Sequence, residues 1–268
     1  EAFSFKGLSI LNTSSLALFA TGRTSGLVVD CGESNSMCVP IYEGFPLYHA
    51  LNISSLGGKD ISELLLKGVL ESSPEFDTEN IIYLREIKEK MCYVPYMKEP
   101  EFYLRSEVED ILKEDQKLYK LPDGTESSRI IEVAKKYRIN AAEILFNPSV
   151  IGSEEKGLLS LISDSVKKTV IDNEEVKNLM FNNIVLAGGT SMMNGFSNKI
   201  HRYLPSLLDN TDPSSINIVE DNQRHLSTWI GASMISSMST FNKLLISKES
   251  TNENGEDRIG VGIFKKIF

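Results

Sequence analysis

Short apolar runs separated by glycine-containing turns characterise the first part of the chain. Residues 27–29 are apolar, residues 39–42 are rich in β-forming side chains, and Gly32 lies between the two runs. This pattern predicts a β-hairpin whose first strand ends at Asp30. The backbone N–H groups of a turn built from small residues can bind an anion, and an aspartate can hold a divalent cation through water. The hairpin therefore suits a nucleotide polyphosphate with Mg²⁺, but an ordinary hairpin turn explains the same residues.

A second apolar strand ending in glycine is predicted much later in the chain. Residues 184–187 are apolar and precede Gly188, Gly189 and Thr190, and residues 196–204 carry apolar side chains at helical spacing. A glycine turn between a strand and a helix lets a phosphate approach the backbone near the helix N-terminus. Two such strand ends, far apart in sequence, predict two phosphate-binding loops that face each other across a cleft.

Helical periodicity predominates in the rest of the chain. The predicted helices lie at residues 60–67, 78–91, 106–118 and 158–170, with Asp60 as the candidate cap of the first. Towards the C-terminus we expect a strand at 216–219, helical turns over 229–245, a polar loop over 249–255 and an apolar, basic tail over 259–268. Strands interleaved with helices predict an α/β fold.

Composition narrows the class of protein. The 268 residues are 41% hydrophobic, which is enough apolar material for one large or two modest domains. A net charge of −9 disfavours direct binding to nucleic acid or to anionic membranes, and no apolar run approaches the length of a membrane span. Three cysteines, Cys31, Cys38 and Cys92, are too few for a disulfide framework and favour reduced thiols in an intracellular protein.

Several motifs resemble those of actin and the actin-related proteins, in the family's order and at nearly its spacing. Besides the Asp30 hairpin they are found at residues 20–26, 39–44, 85–94, 121–124, 146–149, 186–190 and 229–233. The resemblance implies an α/β, actin-like (ribonuclease H-like) nucleotide-binding fold, represented here mainly by its large lobe. Sugar kinases and chaperone ATPases share that ancestral fold, but the motifs at 85–94 and 229–233 resemble actins specifically.

The resemblance also implies a division of the chain. Residues 1–21 would end the hinge helix from the small lobe, 22–56 and 155–225 would form the core of the large lobe, 57–154 its outer helical subdomain, and 226–268 the helices that return to the small lobe. Nothing before Asp30 resembles the family's first phosphate hairpin or its small outer subdomain. We therefore expect roughly the N-terminal third of an actin to be missing from this sequence, and nucleotide binding by the sequence alone to be weak or absent.

The cofactor implied by the resemblance is ATP or ADP with Mg²⁺. Asp30 matches the carboxylate that organises the water shell of the metal ion. The second phosphate loop matches Gly32, Glu33 and Ser34, although the family usually has Asp and Gly at the last two positions. Residues that match the remainder of the nucleotide pocket are Gly58, Arg85, Lys88, Glu89, Gly188, Gly189, Thr190, Met193 and His225. Among them Glu89 is the candidate acceptor for a ribose hydroxyl, and a solvated helix face is the alternative for Lys88 and Glu89.

Two departures from the family pattern concern the chemistry. The glutamine that orients the attacking water is replaced by Thr13, and the histidine after the second phosphate loop is replaced by Met37. Neither replacement can perform the family role, because threonine is too short and methionine cannot relay a proton. Phosphoryl transfer to water depends mainly on positioning and charge stabilisation. We therefore expect hydrolysis to be slow or absent and assign no catalytic residue.

A partner-binding groove is the last feature that the resemblance implies. In actins this groove receives amphipathic helices from regulators, and helix-in-groove recognition needs an apolar stripe. The matching positions are small or apolar and comprise Phe19, Ala20, Gly22, Thr24, Gly44, Ile230, Met234, Ile235, Met238, Thr240 and Leu244. The alternative is that these side chains belong to the core.

Two classes of function are consistent with these residues. The first is an actin-like, ATP-binding cytoskeletal or complex-scaffolding subunit, which the departures at Thr13 and Met37 favour, with other actin-family subunits or actin-binding regulators as partners. The second is a filament-forming ATPase. A nuclear subunit of a chromatin-remodelling complex is a further alternative within the actin-related proteins, and we favour the cytoplasm and cytoskeleton.

Overall fold

The computed structural model describes residues 7–74, 76, 78–95, 117–120, 130–169, 174–208 and 213–247. Its α-helices are α1 (Thr13–Ala20), α2 (Gly58–Ser72), α3 (Leu84–Met91), α4 (Lys135–Glu143), α5 (Leu158–Thr169), α6 (Glu174–Phe181), α7 (Phe196–Tyr203) and α8 (Ser227–Ser236). Its strands are β1 (Gly7–Leu8), β2 (Gly26–Cys31), β3 (Ser36–Tyr42), β4 (Phe45–Pro46), β5 (Asn52–Ser54), β6 (Lys117–Lys120), β7 (Ile130–Val133), β8 (Ile184–Ala187), β9 (Ile218–Val219) and β10 (Ile246–Ser247).

A mixed sheet organises the part of the chain that the structure describes. Its strand order is β4-β3-β2-β8-β9, and β5 pairs with β3 beside β4. The β2–β3 pair is the antiparallel hairpin predicted from the sequence, with Asp30 opposite Met37. The β2–β8 pair is parallel, with Asp30 beside Ala187. Because the carboxyl ends of parallel strands meet at one edge of a sheet, this pairing brings the two glycine-containing turns together.

The sheet is buried on both faces, which explains why β2 and β8 read as continuous apolar runs. On one face Leu27 and Val29 join the larger core, which also receives buried side chains of α2, α3 and α5. On the other face Val28 and Val185 pack with Leu18 of α1. The alternation along β2 follows from the period-two geometry of a strand.

The structure corrects several boundaries predicted from the sequence. The first helix of the outer region begins at Gly58 with Gly57 as its cap, so Asp60 is not the cap; its carboxylate accepts the Gly57 N–H at 2.8 Å from the first turn. The helix predicted at 106–118 is wrong at its C-terminal end, because Lys117 starts strand β6, which pairs with β7. The rest of that helix, the motif at 121–124, the loop at 249–255 and the tail at 259–268 lie outside the described residues.

Other predicted elements are present with changed limits. The helix at 78–91 is a 3-10 segment, Thr78–Tyr83, followed by α3. The helical turns at 229–245 divide into α8 and a 3-10 turn, Phe241–Lys243, and the strand at 216–219 is confined to β9. The helix at 158–170 is confirmed as α5 over Leu158–Thr169. The structure has a mixed α/β architecture, which confirms the predicted fold class.

Candidate functional site

The two glycine-containing turns touch where β2 and β8 end. Gly188 has a φ of +85°, and a Cβ there would meet the carbonyl oxygen of Cys31 and lie 2.6 Å from Asp30 Oδ1. An L side chain would be strained by that φ and would collide with the neighbouring backbone. The contact explains why this position is glycine, and it places the Asp30 carboxylate directly beside the second turn.

The hairpin turn is also held from the side of α2. The Gly58 N–H donates to the Gly32 carbonyl at 3.0 Å, and the Lys59 N–H donates to the Glu33 carbonyl at 2.8 Å. From the opposite side the Thr190 hydroxyl donates to the Gly32 carbonyl at 2.8 Å. The turn is therefore fixed between the N-terminus of α2 and the loop that follows β8, and exposed Ser34 lies at its tip.

A cavity of about 550 Å³ opens beside these turns, within the size range of small-molecule sites. It brings together eight of the predicted nucleotide residues: Glu33, Arg85, Lys88, Glu89, Gly189, Thr190, Met193 and His225. The remaining predicted residues, Asp30, Gly32, Ser34, Gly58 and Gly188, do not line the cavity. Asp30, Gly32, Gly58 and Gly188 make the turn contacts described above.

Sequence reasoning missed two lining residues, Met192 and Leu226. Each is the neighbour of a predicted residue, Met193 and His225 respectively. Both lie in short 3-10 segments, Gly189–Met192 and Arg224–Leu226, which bring consecutive side chains to the cavity. In the sequence, both residues could have been found from their positions next to residues already assigned to the pocket.

The lysine, arginine and glutamate side chains that line the cavity form two ion pairs. Lys88 Nζ lies 3.2 Å from Glu33 Oε2 and donates to the Gly58 carbonyl at 2.8 Å. Arg85 Nε lies 2.8 Å from Glu89 Oε1. A solvated helix face, the alternative for Lys88 and Glu89, fits Glu89, whose side chain is 57% exposed beside an 83% exposed Arg85. This alternative is wrong for Lys88, whose side chain is 9% exposed.

The residues present fit a Mg²⁺ ion held mainly through water. Burial raises the pKa of the Asp30 carboxyl, and an adjacent cation would favour its ionised form. Among the described residues there is no cluster of three or more His, Cys, Asp or Glu side chains that would form an all-protein metal cage. A single carboxylate with waters and phosphate oxygens is the arrangement that Mg²⁺ commonly adopts beside nucleotides.

Thr13 and Met37, the positions where we expect the family's water-orienting and proton-relaying residues to be replaced, lie on either side of Ser14. Asn12 caps α1 by accepting the N–H groups of Ser14 and Ser15, which leaves Thr13 exposed at the first helical position. Met37 contacts Ser14, whose hydroxyl lies 3.8 Å from Met37 Sδ.

Helices α1 and α8, which carry several of the residues of the predicted groove, pack against each other. A Cβ at Gly231 would collide with the Leu16 carbonyl, so this glycine allows the two helices to lie close together. The core alternative is wrong for Met234 and Met238, which are 47% and 57% exposed. Trp229, on the same helix as Met234, is 69% exposed and was not among the predicted groove residues.

The three cysteines are free and buried. Burial raises the pKa of the Cys31 and Cys92 thiols to about 12, so these side chains are protonated and unreactive near neutral pH. Across the described ranges, no helix combines the length and the apolar character that crossing a bilayer requires.

Comparison with known proteins agrees with this geometry. The sequence model of the family described as Actin matches residues 1–264. Centractin of Saccharomyces cerevisiae (strain ATCC 204508 / S288c) is 36% identical over 258 residues, which is 95% of this chain. The chain spans 63% of that relative's length. The match to the family over residues 1–264 and the 36% identity to centractin each show that the chain belongs to the actin family.

Proposed function

We propose that the chain is the nucleotide-binding part of an actin-related scaffolding subunit that binds ATP or ADP with Mg²⁺ and hydrolyses ATP slowly or not at all. The observation that carries this proposal is the cavity beside the two turns, lined by residues from α3, the β2–β3 turn and the loops around β8 and α8. A cleft at the carboxyl ends of parallel strands is the usual ligand position in an open α/β sheet.

Each part of the ligand has a candidate partner. Met192, Met193 and Leu226 offer an apolar surface for the base, and the Glu89 carboxylate can accept a ribose hydroxyl. The phosphates would lie over the backbone of the two turns, at Gly32 and Gly189, because small residues allow close approach. Asp30 would hold Mg²⁺ through water, and the bound cation would neutralise charge on the phosphates.

We favour a scaffolding role over an enzymatic one because of the residues at two positions, Thr13 and Met37. Thr13 is too short to take the place of the water-orienting glutamine, and Met37 cannot relay a proton, so we expect the cavity to support binding better than turnover. The similarity to centractin supports an actin-related subunit. The partners that we propose for it are other actin-family subunits or regulators that bind the α1–α8 groove, in the cytoplasm and cytoskeleton. Neither comparison supports the chromatin-remodelling alternative.

Calorimetric titration of the chain with Mg·ATP and Mg·ADP tests the proposal. We expect a Kd near the millimolar range, because the described residues supply one wall of a site and each charge-assisted hydrogen bond contributes about 1.5–3 kcal/mol. A sub-micromolar Kd would contradict the expected weak affinity. No heat of binding at nucleotide concentrations on the order of 10 mM would contradict the proposed function itself.

Gly189→Val provides a variant in which a branched side chain is added to the lining of the cavity. A Cβ at Gly189 would meet no atom within 4 Å, so the added side chain projects into open space and the fold should keep its unfolding temperature. The variant should lose nucleotide binding while its thermal unfolding matches that of the wild type. Equal affinity in both proteins would place the ligand elsewhere.

A further inference from the structure

Lys88 is one of the charged residues that line the cavity, and its ammonium group has two partners. It is held by the Gly58 carbonyl at 2.8 Å and by Glu33 Oε2 at 3.2 Å. The Lys88 side chain is 9% exposed, whereas the Glu33 side chain is 67% exposed and reaches Lys88 from the hairpin turn. The lysine is therefore fixed, and the glutamate is the partner that is free to move towards solvent.

The absence of a side chain at Gly58 permits this arrangement. A Cβ at that position would lie 2.8 Å from Thr190 Oγ1 and 3.1 Å from Lys88 Nζ, and it would collide with Glu33 Oε2. Three polar groups thus converge above one glycine. Among the described residues that line the cavity, the other permanent cation, Arg85, is paired with Glu89.

An anionic ligand would consequently meet two cations that already carry carboxylate partners. A phosphate that approaches Lys88 gains the attraction of the ammonium group but also faces the negative charge of Glu33. An uncharged nucleoside meets neither effect. The pairing therefore reduces the advantage that phosphate groups give to a ligand of this cavity.

We propose that Glu33 is a specificity-determining residue that weakens the preference of the cavity for highly charged nucleotides by neutralising Lys88. This inference rests on the proposed nucleotide-binding function and concerns the regulation of the same site. The carboxylate competes with ligand phosphate for one ammonium group. Removing its charge should strengthen binding in proportion to the charge of the ligand, whereas a purely structural role in the turn would affect every ligand alike.

The test compares adenosine, AMP, Mg·ADP and Mg·ATP as probes of increasing charge, with binding followed by the methyl NMR signals of the protein. Glu33→Gln keeps the size of the side chain and removes its charge. We expect this variant to bind Mg·ATP roughly twofold to fivefold more tightly than the wild type, the range of a partly exposed ion pair. Its affinity for adenosine should stay within about twofold of the wild type.

Two further variants isolate the pair. Glu86→Gln is the matched control, because it removes one carboxylate from α3 that pairs with Lys90 and does not line the cavity. It should leave the ratio of ATP affinity to adenosine affinity unchanged. In a Lys88→Met background, Glu33→Gln should increase that ratio less than in the wild type, because only the direct repulsion between Glu33 and phosphate is then removed.

The outcomes separate this inference from the proposal on which it rests. An unchanged ATP-to-adenosine ratio in Glu33→Gln, or a gain that persists in full when Lys88 is methionine, would overturn the role of Glu33 while leaving nucleotide binding intact. Failure of every probe to bind any of the variants would instead contradict the proposed function, and the role of Glu33 with it. A gain that depends on both ligand charge and Lys88 supports the inference.

Discussion

Replacing Gly58 with alanine should impair ligand binding much more than folding. Gly58 is the first residue of α2, and a Cβ there would lie about 0.6 Å inside the ordinary 3.4 Å contact distance from Thr190 Oγ1 and would also crowd Lys88 Nζ. The closest collision is with the carboxylate of Glu33, whose side chain is 67% exposed and can rotate towards solvent. The other two contacts are also with side-chain ends and not with backbone. The fold should therefore accommodate the methyl group, but only by displacing the polar groups that line the cavity.

The expected change in the free energy of folding is smaller than the expected change in the free energy of ligand binding. For folding, alanine is favoured over glycine in helices by at most about 1 kcal/mol, which offsets the cost of moving the side chains. For binding, moving Lys88 away from the ligand loses one charge-assisted hydrogen bond of about 1.5–3 kcal/mol, roughly a tenfold to hundredfold loss of affinity. This loss outweighs the roughly twofold to fivefold gain expected when Glu33 is also displaced. Gly58→Ala should thus unfold within about 1 kcal/mol of the wild type but bind Mg·ATP about tenfold more weakly.

A second glycine of the same helix provides the matched control. A Cβ at Gly68 would collide with the ring of Tyr137 and lie 2.5 Å from its Cβ, so Gly68→Ala overpacks the contact between α2 and α4. Such overpacking typically costs about 1–3 kcal/mol, and it should lower the urea midpoint without changing the affinity of the folded protein for nucleotide. If Gly58→Ala bound Mg·ATP as tightly as the wild type, the convergence of polar groups above Gly58 would have no role in binding.

Three further predictions address the chemistry, the groove and the core. Thr13→Gln combined with Met37→His should increase phosphate release from Mg·ATP, and an unchanged rate would contradict the roles assigned to those two positions. Met234→Asp should reduce capture of the chain by an immobilised amphipathic actin-binding helix, because it places a charge in the apolar groove; equal capture would remove the groove from the account. Lys199→Met should lower the free energy of unfolding by about 3–5 kcal/mol, because it leaves the Glu143 carboxylate, 2.5–2.6 Å from Lys199 Nζ, buried without its partner. Urea unfolding with an unchanged midpoint would contradict that last expectation.

The fold class and both turns could be predicted because their signals are local. An apolar run that ends in Asp30 or Gly188 identifies a buried strand and the turn that follows it, whatever lies elsewhere in the chain. The parallel pairing of β2 with β8 carries no comparable local signal, since the strands lie more than 150 residues apart. The expectation that their ends face one cleft came from the presence of two glycine-containing strand ends, which does not specify how the two strands pair.

The errors also have physical causes. Residues 117–120 place Leu118 and Tyr119 between two lysines, which suits a short edge strand, but they follow an amphipathic acidic segment whose helical spacing dominated the interpretation. The burial of Lys199 was not predicted, because a lysine on an amphipathic helix is usually exposed. Its burial against Glu143 depends on the packing of α7 on a distant segment. Neither burial nor ion pairing of that kind is encoded in the spacing of a single helix.

Titration of the chain with Mg·ATP, followed through methionine methyl NMR signals, tests the central claim most directly. Met192 and Met193 line the cavity, whereas Met180 is completely buried in the core and serves as an internal reference. The account predicts saturable shifts of the Met192 and Met193 signals that Gly189→Val abolishes, with little change at Met180. Absence of any shift at Met192 and Met193 at about 10 mM nucleotide, or saturable shifts confined to the exposed Met234 and Met238, would contradict a nucleotide site in this cavity.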